Sequence, residues 1–294
     1  MTVGEVIRGG FRRSRISMVK AVPLPVALSV AWLLAVLSVA VLAQLLTPYD
    51  HTEIDLRARL QPPAFLGGEF SHILGTDQLG RDVLSRLFIS IQMSFLIATT
   101  GTIIGAVVGT VLGFVAAHYK GFIDDVVIVL VDFQAAMPFT ILALAVLAFF
   151  GNDLMLFVAV LGLYGWERYA RLARGMTLSA RSEGYAMALE GLGCGFWRLY
   201  LRHILPNIAS VLIVNMTVNF PETILLESAL SFLGLGIQPP MTSVGSMLGF
   251  GRDYLSTAWW IAVFPGLTIV FSVLALSIVG DWLQERLDPR VRAL

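Results

Sequence analysis

Three carboxylates lie inside long apolar stretches of this 294-residue chain, where charged side chains can serve the movement of ions or solutes. They are Asp132, Glu222 and Glu227. A charge within a bilayer is costly and normally faces the bundle interior or a water-filled path. Asn215 and Asn219 precede Glu222 at spacings of four and three, so these three share one helix face. The five residues are candidates for a translocation path or, alternatively, for polar contacts that hold helices together.

Other reactive groups show no pattern typical of catalysis or metal binding. The four histidines are His51, His72, His118 and His203. No two of them have the spacing of metal ligands, and no hydrolase motif is present. A phosphate-binding loop needs Gly-Lys followed by Ser or Thr, but Lys20 and Lys120, the only lysines, do not follow glycine. We therefore predict no catalytic residue, no metal site and no ATP site of that kind in this chain.

The composition indicates a membrane protein. Hydrophobic residues make up 57% of the chain, charged residues 14%, and the mean hydropathy is +0.80. Soluble domains carry about 25% charged residues. The net charge of zero argues against a nucleic-acid partner and leaves the lipid bilayer as the expected surroundings.

Six apolar runs are candidates for membrane-crossing helices, each of which needs roughly 20 mostly apolar residues. They cover Ala21–Leu46, Phe88–Ala117, Val126–Gly151, Leu154–Trp166, Ile208–Leu235 and Trp259–Gly280. The fourth is short, and we expect its helix to continue into the polar residues 167–175. The sequence thus predicts an all-α membrane protein with six transmembrane helices.

Lysine and arginine counts predict the orientation. With the N-terminus in the cytoplasm, 15 of the 20 lysines and arginines lie on the cytoplasmic side. Cytoplasmic loops carry the excess of these residues. We expect cytoplasmic tails at 1–20 and 283–294, and an external segment at 47–87.

The external segment carries a helical pattern before the second span. Thr76–Asp77 is a plausible helix cap. The apolar residues Leu79, Val83 and Leu87 follow at every fourth position. Asp82 and Arg86 could pair one turn apart. The pattern predicts an amphipathic helix along the outer membrane interface.

The second span carries a glycine at every fourth position. The four are Gly101, Gly105, Gly109 and Gly113. Such a row forms a groove of small residues that lets another helix approach closely. We predict a helix-packing seam, whose partner could belong to this chain or to another subunit.

The segment 176–207, expected in the cytoplasm, is too polar to cross a membrane, yet its sequence has the signals of defined secondary structure. It holds a helical run, a break at Gly193, an amphipathic turn and a stop at Pro206. Since the chain lacks an ATP motif, any ATP-driven movement must reach it through a partner. This segment is the expected docking element.

The same segment resembles the EAA loop of ABC importer permeases. That loop has a Glu-Ala-Ala triplet, a glycine after three more residues, then nine residues and Ile-x-Leu-Pro. Gly193, Leu205 and Pro206 match in register, with His203 at the isoleucine position. The triplet falls on 187–189 and keeps only Ala188.

Two further stretches resemble the dipeptide/oligopeptide/nickel permease family, specifically its "C"-type subunit. One runs from Leu74 to Asp82, and the other from Glu227 to Gly236 with Pro239–Pro240. The resemblance extends from about Pro48 to Pro289.

The resemblance implies a type I ABC importer transmembrane domain at 88–282, preceded by a first transmembrane helix at 21–46. It implies a homologous "B"-type permease, two ABC ATPase subunits that bind ATP and magnesium, and an external solute-binding protein, all in a bacterial cytoplasmic membrane. The ATPase-coupling residues it implies are Glu183, Gly184, Tyr185, Ala186, Met187, Ala188, Leu189, Glu190, Gly193, His203 and Pro206.

The solute stays open at this point. Dipeptides, oligopeptides, glutathione-like peptides, opines and nickel all fit the same machinery. A second class of function is a proton-coupled secondary transporter that uses Asp132, Glu222 and Glu227 as relays. Such transporters often show inverted repeats, and this sequence shows none.

Overall fold

The structure, a computed structural model, describes residues 22–181, 191 and 193–287. Its regular elements are helices, and the residues described contain only one isolated bridge, between Thr76 and Asp82. The helices are α1 (Leu24–Leu46), α2 (Val83–Tyr119), α3 (Gly121–Ala136), α4 (Phe139–Phe150), α5 (Leu154–Gly162), α6 (Trp166–Arg181), α7 (Phe196–Leu199), α8 (Leu205–Phe232), α9 (Val244–Gly251) and α10 (Trp260–Leu287). A π-helical turn, Tyr200–Ile204, joins α7 to α8. The prediction of an all-α protein is confirmed.

Four helical stretches in the described part of the chain are long and apolar enough to cross a membrane. They are α1, α2, the continuous run Phe196–Phe232, and α10 up to Arg286. The pair α3 and α4 would make a fifth span, but the two helices are bent by 91° at their junction. The predicted count of six is therefore not reached by length and composition alone.

A proline causes the bend in the predicted third span. Met137 adopts an extended conformation, and α4 starts directly after Pro138. The residue before a proline is disfavoured in the α conformation, so the chain cannot continue as one helix there. The expected helix Val126–Gly151 is thus two helices.

The predicted fourth span is broken as well. Residues 163–165 separate α5 from α6, and Gly165 has a φ of +78°, a conformation that favours glycine. The nine residues of α5 extend only about 13 Å, against about 30 Å for the bilayer core. The expected continuation into the polar residues exists as a separate helix, α6.

The four glycines of α2 lie against α5, α6 and the break between them. Gly101 faces Leu161, and Gly113 faces Ala170 and Ala173, so α5 and α6 run in the same direction as α2. A Cβ atom at Gly109 would lie 2.2 Å from the carbonyl oxygen of Trp166. The two backbones therefore touch, and α2 with α6 forms the most extensive helix pair described. The seam partner lies in this chain.

The segment between α1 and α2 differs from its prediction, because no amphipathic α-helix precedes α2. The Asp77 carboxylate accepts hydrogen bonds from the backbone N–H groups of Leu79 and Arg81, at 2.8 and 3.0 Å, and holds a tight turn. The cap of α2 is Asp82, whose Oδ2 accepts the Ser85 N–H at 2.8 Å. Local hydrogen bonds from an Asp side chain to the backbone compete with helix formation. The residues after Asp77 therefore form a turn, although Leu79, Val83 and Leu87 have helical spacing.

The predicted pairing of Asp82 with Arg86 is wrong for the same reason. Arg86 instead pairs with Asp77, with Nη1 and Oδ2 2.5 Å apart, and both side chains are buried. Asp82 lies 3.1 Å from the His72 ring. Asp77 and Asp82 are therefore both engaged within this turn, and Asp82 does not pair with Arg86 on the surface of α2.

The buried apolar residues follow α2 along its whole length. Near its start it packs with α1, α9 and α10, in its middle with α5 and α8, and near its end with α6 and α8. Representative side chains are Val36, Leu87, Trp260, Ile97, Phe157, Phe114, Tyr169 and Tyr200. Helix α2 is therefore the central element of the bundle.

The backbone contact at Gly109 predicts a strong asymmetry between two glycine substitutions. Gly109→Ala should push α6 away from α2 and lower the free energy of unfolding by about 1–3 kcal/mol. The control Gly175→Ala places the same methyl group on α6 with nothing within 4 Å. Its better helix propensity should raise the unfolding temperature slightly. Thermal unfolding of the two purified variants in detergent measures the difference, and equal midpoints would contradict the contact.

Candidate translocation path and coupling segment

The predicted polar face of α8 meets the break between α5 and α6. Asn219 packs against Gly165, where an added Cβ would lie 2.6 Å from its Nδ2 atom. Asn219 is 1% exposed, and its Nδ2 lies 3.5 Å from the Tyr169 hydroxyl. The structure thus places Asn219 in a notch that only glycine leaves open.

Two buried amide atoms on this face lack hydrogen-bond partners among the described residues. They are the Nδ2 of Asn215 and the Oδ1 of Asn219. Buried polar atoms are nearly always hydrogen-bonded in folded proteins. The face is therefore polar within the bundle, as expected of either a path or an inter-helix contact.

Glu222 stands at the centre of a partly exposed ion cluster. Its Oε2 accepts hydrogen bonds from Arg168 Nη1 at 2.6 Å and from the Tyr164 hydroxyl at 2.9 Å. The side chains of Arg168 and Glu222 are 42% and 38% exposed. Sequence reasoning missed Arg168 and Tyr164 as partners, because they lie more than 50 residues away in the chain.

A cavity of about 170 Å³ adjoins Glu222 between α8 and α10. Pro221 has no N–H and so cannot donate to the carbonyl of Thr217, one turn earlier. Thr217, Ser277 and Asp281 line the cavity beside Glu222. Val218, Leu225 and Val273 also line it, so the cavity combines an apolar wall with two carboxylates and two hydroxyls.

Asp132 lies away from this cluster. It pairs with Arg171 at 3.1 Å, and the two side chains are 65% and 57% exposed. One turn further along α6 from Arg171, Arg174 Nη2 donates to Asp124 of α3 at 2.6 Å. Three arginines of α6 thus reach carboxylates on α3 and α8. The structure does not bring Asp132 together with Glu222.

Glu227 is fully buried and has a different environment. Its carboxylate accepts hydrogen bonds from the hydroxyls of Ser231 at 2.8 Å, Ser94 at 3.0 Å and Ser228 at 3.3 Å. Ser94 also accepts the N–H of Val244 at 3.1 Å. The carboxylate therefore links α2, α8 and α9, a geometry that favours inter-helix contact over a path for this residue.

A second polar groove, of about 570 Å³, opens beside the start of α2. Asp50 and His51 line it together with Gln44, Gln92 and Thr242. Hydrogen bonds from the Thr52 side chain and backbone lower the pKa of the exposed Asp50 carboxyl from its ordinary value. Asp50 is therefore ionised near neutral pH.

Much of the predicted coupling segment lies outside the described residues. This applies to Glu183, Gly184, Tyr185, Ala186, Met187, Ala188, Leu189 and Glu190. Of the remaining three, Gly193 has a φ of +75° in open space. His203 is partly buried in the π-helical turn, and Pro206 is exposed in the first turn of α8.

Both described ends of the coupling segment attach to the last turn of α2. On one side, Arg181 Nη1 donates to the carbonyl of Ala117 at 2.9 Å. On the other, the Tyr200 hydroxyl lies 3.2 Å from His118 Nδ1, and Phe196 stacks on Tyr200 with ring centroids 4.4 Å apart. A force on the segment would therefore act on the end of α2.

No three side chains of His, Cys, Asp or Glu converge on a possible metal position in the residues described. The absence of a metal site in the whole chain stays a prediction.

Comparison with known proteins identifies relatives for this arrangement. Residues 109–293 match the family of binding-protein-dependent transport system inner membrane components. The di/tripeptide transport system permease protein DppC of Pseudomonas aeruginosa is 37% identical over 262 residues, covering 89% of this chain and 86% of the relative. The dipeptide transport system permease protein DppC of Escherichia coli K12 is 37% identical, covering 89% and 87%. The glutathione transport system permease protein GsiD of Pectobacterium atrosepticum is 34% identical, covering 89% and 86%.

The contrast between the two glutamates of α8 predicts different costs of removal. Glu227→Ala leaves three buried hydroxyls without their acceptor and opens a cavity, which should lower the free energy of unfolding by about 3 kcal/mol. Glu222→Ala removes a partly exposed ion pair and should cost about 1 kcal/mol or less. Thermal unfolding of both variants in the same detergent makes the comparison. A shift for Glu227→Ala no larger than that for Glu222→Ala would contradict the buried cluster.

Proposed function

The chain belongs to the family of binding-protein-dependent transport system inner membrane components, and we propose that it is the permease subunit of an ATP-driven peptide importer. The observation that carries this proposal is its 34–37% identity, over 89% of its length, to permeases named for dipeptide, di/tripeptide and glutathione transport. Glutathione is itself a tripeptide. Di- and oligopeptides are therefore the proposed solutes. Opines and nickel are the alternatives, and the test below separates peptide from nickel.

The proposed topology has six spans in the bacterial cytoplasmic membrane, with both termini in the cytoplasm. The bent pair α3–α4 and the broken pair α5–α6 each supply one span. The parallel course of α5 and α6 along α2, from Gly101 to Gly113, supports the second assignment. The first span, α1, precedes a five-span transmembrane domain at 88–282, and the lysine and arginine bias supports the orientation.

The proposed power source is a pair of ABC ATPase subunits beneath the membrane. They would bind ATP and magnesium, since this chain has no Gly-Lys-Ser/Thr loop. Residues 183–190, with Gly193, would contact one ATPase. The attachment of Arg181 and Tyr200 to the last turn of α2 supports a direct transfer of force from that contact to the bundle.

The proposed solute path passes the polar face of α8. Asn215, Asn219 and Glu222 lie on this face, and the Arg168–Glu222 pair links it to α6. Partly exposed ion pairs contribute little net stability and can open at low cost. Movement of α6 relative to α8 would break this pair and open the path, and a homologous "B"-type permease would complete the other wall.

Reconstitution tests the solute and the energy source together. The chain would be placed in vesicles with its partner permease, both ATPases and the solute-binding protein, and uptake of radiolabelled dialanine and of nickel would be measured. We expect ATP-dependent dipeptide uptake and no nickel uptake. Nickel uptake without peptide uptake would contradict the solute class, and uptake driven by a proton gradient without ATP would contradict the mechanism.

The coupling role predicts a loss of uptake from a change at Gly193. Gly193→Arg should reduce ATP-dependent uptake at least tenfold without loss of complex assembly, because a bulky charge would disturb the ATPase contact. The control is Gly67→Arg, since Gly67 also has a positive φ and nothing within 4 Å but lies in the segment between α1 and α2. Uptake by the two variants, normalised to assembled complex, is the measurement. Equal effects would show strain at a positive φ instead of coupling.

A further inference from the structure

An apolar groove runs along the end of the bundle where the coupling segment attaches. One wall is α2, through Ile103, Val107 and Val111, and the other runs from α7 through the π-helical turn into α8. The second wall presents Trp197, Leu201 and Leu205. The groove has a volume of about 320 Å³. None of its lining residues is charged.

Two arginines neighbour the lining residues of this groove in the chain. Arg198 follows Trp197 and Arg202 follows Leu201, so each lies one position beyond a lining residue on the same helical run. Both are exposed, and within the described ranges neither forms an ion pair with a carboxylate. Exposed positive charge therefore lies next to the lining residues on this helical run.

The arginines lie at the start of a helical run that is long and apolar enough to cross a membrane. Trp197 and Arg198 lie in the first turn of the candidate span Phe196–Phe232, and Trp197 is 65% exposed. Exposed tryptophans collect at the level of lipid headgroups. Arginines near span ends extend their charge toward that level while their stems stay against apolar surface.

We propose that the groove binds an anionic glycerophospholipid, with an acyl chain between α2 and α8 and the phosphate on Arg198 and Arg202. Charge complementarity favours an anionic lipid over a helix of another subunit. A helix would have to bring its own carboxylates to both guanidiniums, whereas an anionic lipid combines an apolar chain and a negative headgroup in the order the groove requires. Basic pockets between transmembrane helices bind such headgroups.

The bound lipid would hold α7 against the end of α2. Trp197 lies next to Phe196, whose ring stacks on Tyr200, and Tyr200 reaches His118 on α2. The bound lipid would thus stabilise the contact between α2 and the C-terminal part of the coupling segment. It does not depend on which solute the protein transports, so it can fail or succeed independently of the proposed function.

The test uses quenching of Trp197 fluorescence by brominated lipid. The full chain, purified with the subunits that accompany it, is reconstituted into vesicles of phosphatidylcholine and phosphatidylglycerol in equal amounts. Bromine is carried on the acyl chains of one lipid or of the other. The emission lost in Trp197→Phe isolates Trp197 from the other five tryptophans.

We expect a preference for phosphatidylglycerol on the order of tenfold, seen as severalfold stronger quenching when that lipid carries the bromine. Arg198→Gln with Arg202→Gln should remove the preference. Arg286→Gln is the matched control, because it removes a cation that lies over Trp282 on α10, away from the groove. Val107→Phe fills the groove from α2 and should weaken quenching by both lipids with the arginines intact.

Two results would overturn the proposal. Equal quenching by the two brominated lipids would show an apolar groove open to bulk lipid without headgroup recognition. No quenching of Trp197 by either lipid would show that a protein surface covers the groove. Unfolding temperatures of all variants establish that the comparison is made between folded proteins.

Discussion

The backbone contact between α2 and α6 is the constraint on which the rest of the bundle depends. At Gly109 the two helices approach so closely that a single methyl group has no room. Such a contact fixes both the distance and the register of the two helices. Arg181 and Tyr200 attach the described ends of the coupling segment to the last turn of α2. Under the proposed function, a displacement of that segment would therefore move α2 and α6 as one body.

The contacts of α8 differ along its length, and this difference suggests where movement is absorbed. Near its end, Glu227 joins it to α2 and α9 through buried hydroxyls. In its middle, Pro221 weakens the helix, and the partly exposed Arg168–Glu222 pair is its charged link to α6. A buried network resists opening, whereas an exposed ion pair exchanges readily with water. The proposed path therefore opens beside Glu222 while the Glu227 junction stays closed.

The sequence predicted the structure correctly where a single property, such as hydrophobicity or small side-chain size, determines it. The long apolar runs predicted α1, α2, α8 and α10, and the four-residue glycine spacing predicted a seam. It failed where local hydrogen bonds compete with periodicity, because Leu79, Val83 and Leu87 have helical spacing but Asp77 holds its neighbours in a turn. Pro138 was visible in the sequence, but a proline alone does not specify the angle between the flanking helices, which is 91° here. No local pattern could link Glu222 to Arg168, 54 positions earlier.

Distances between spin labels in the assembled transporter test the central claim, that α2 and α6 move as one body against α8. Labels on cysteines at Tyr119 and Gly175 report the α2–α6 distance, and labels at Gly175 and Ile213 report the α6–α8 distance, with the native Cys194 replaced by serine. On addition of ATP, the first distance should stay unchanged within the width of its distribution, and the second should shift. A shift in the first distance, or none in the second, would contradict the account.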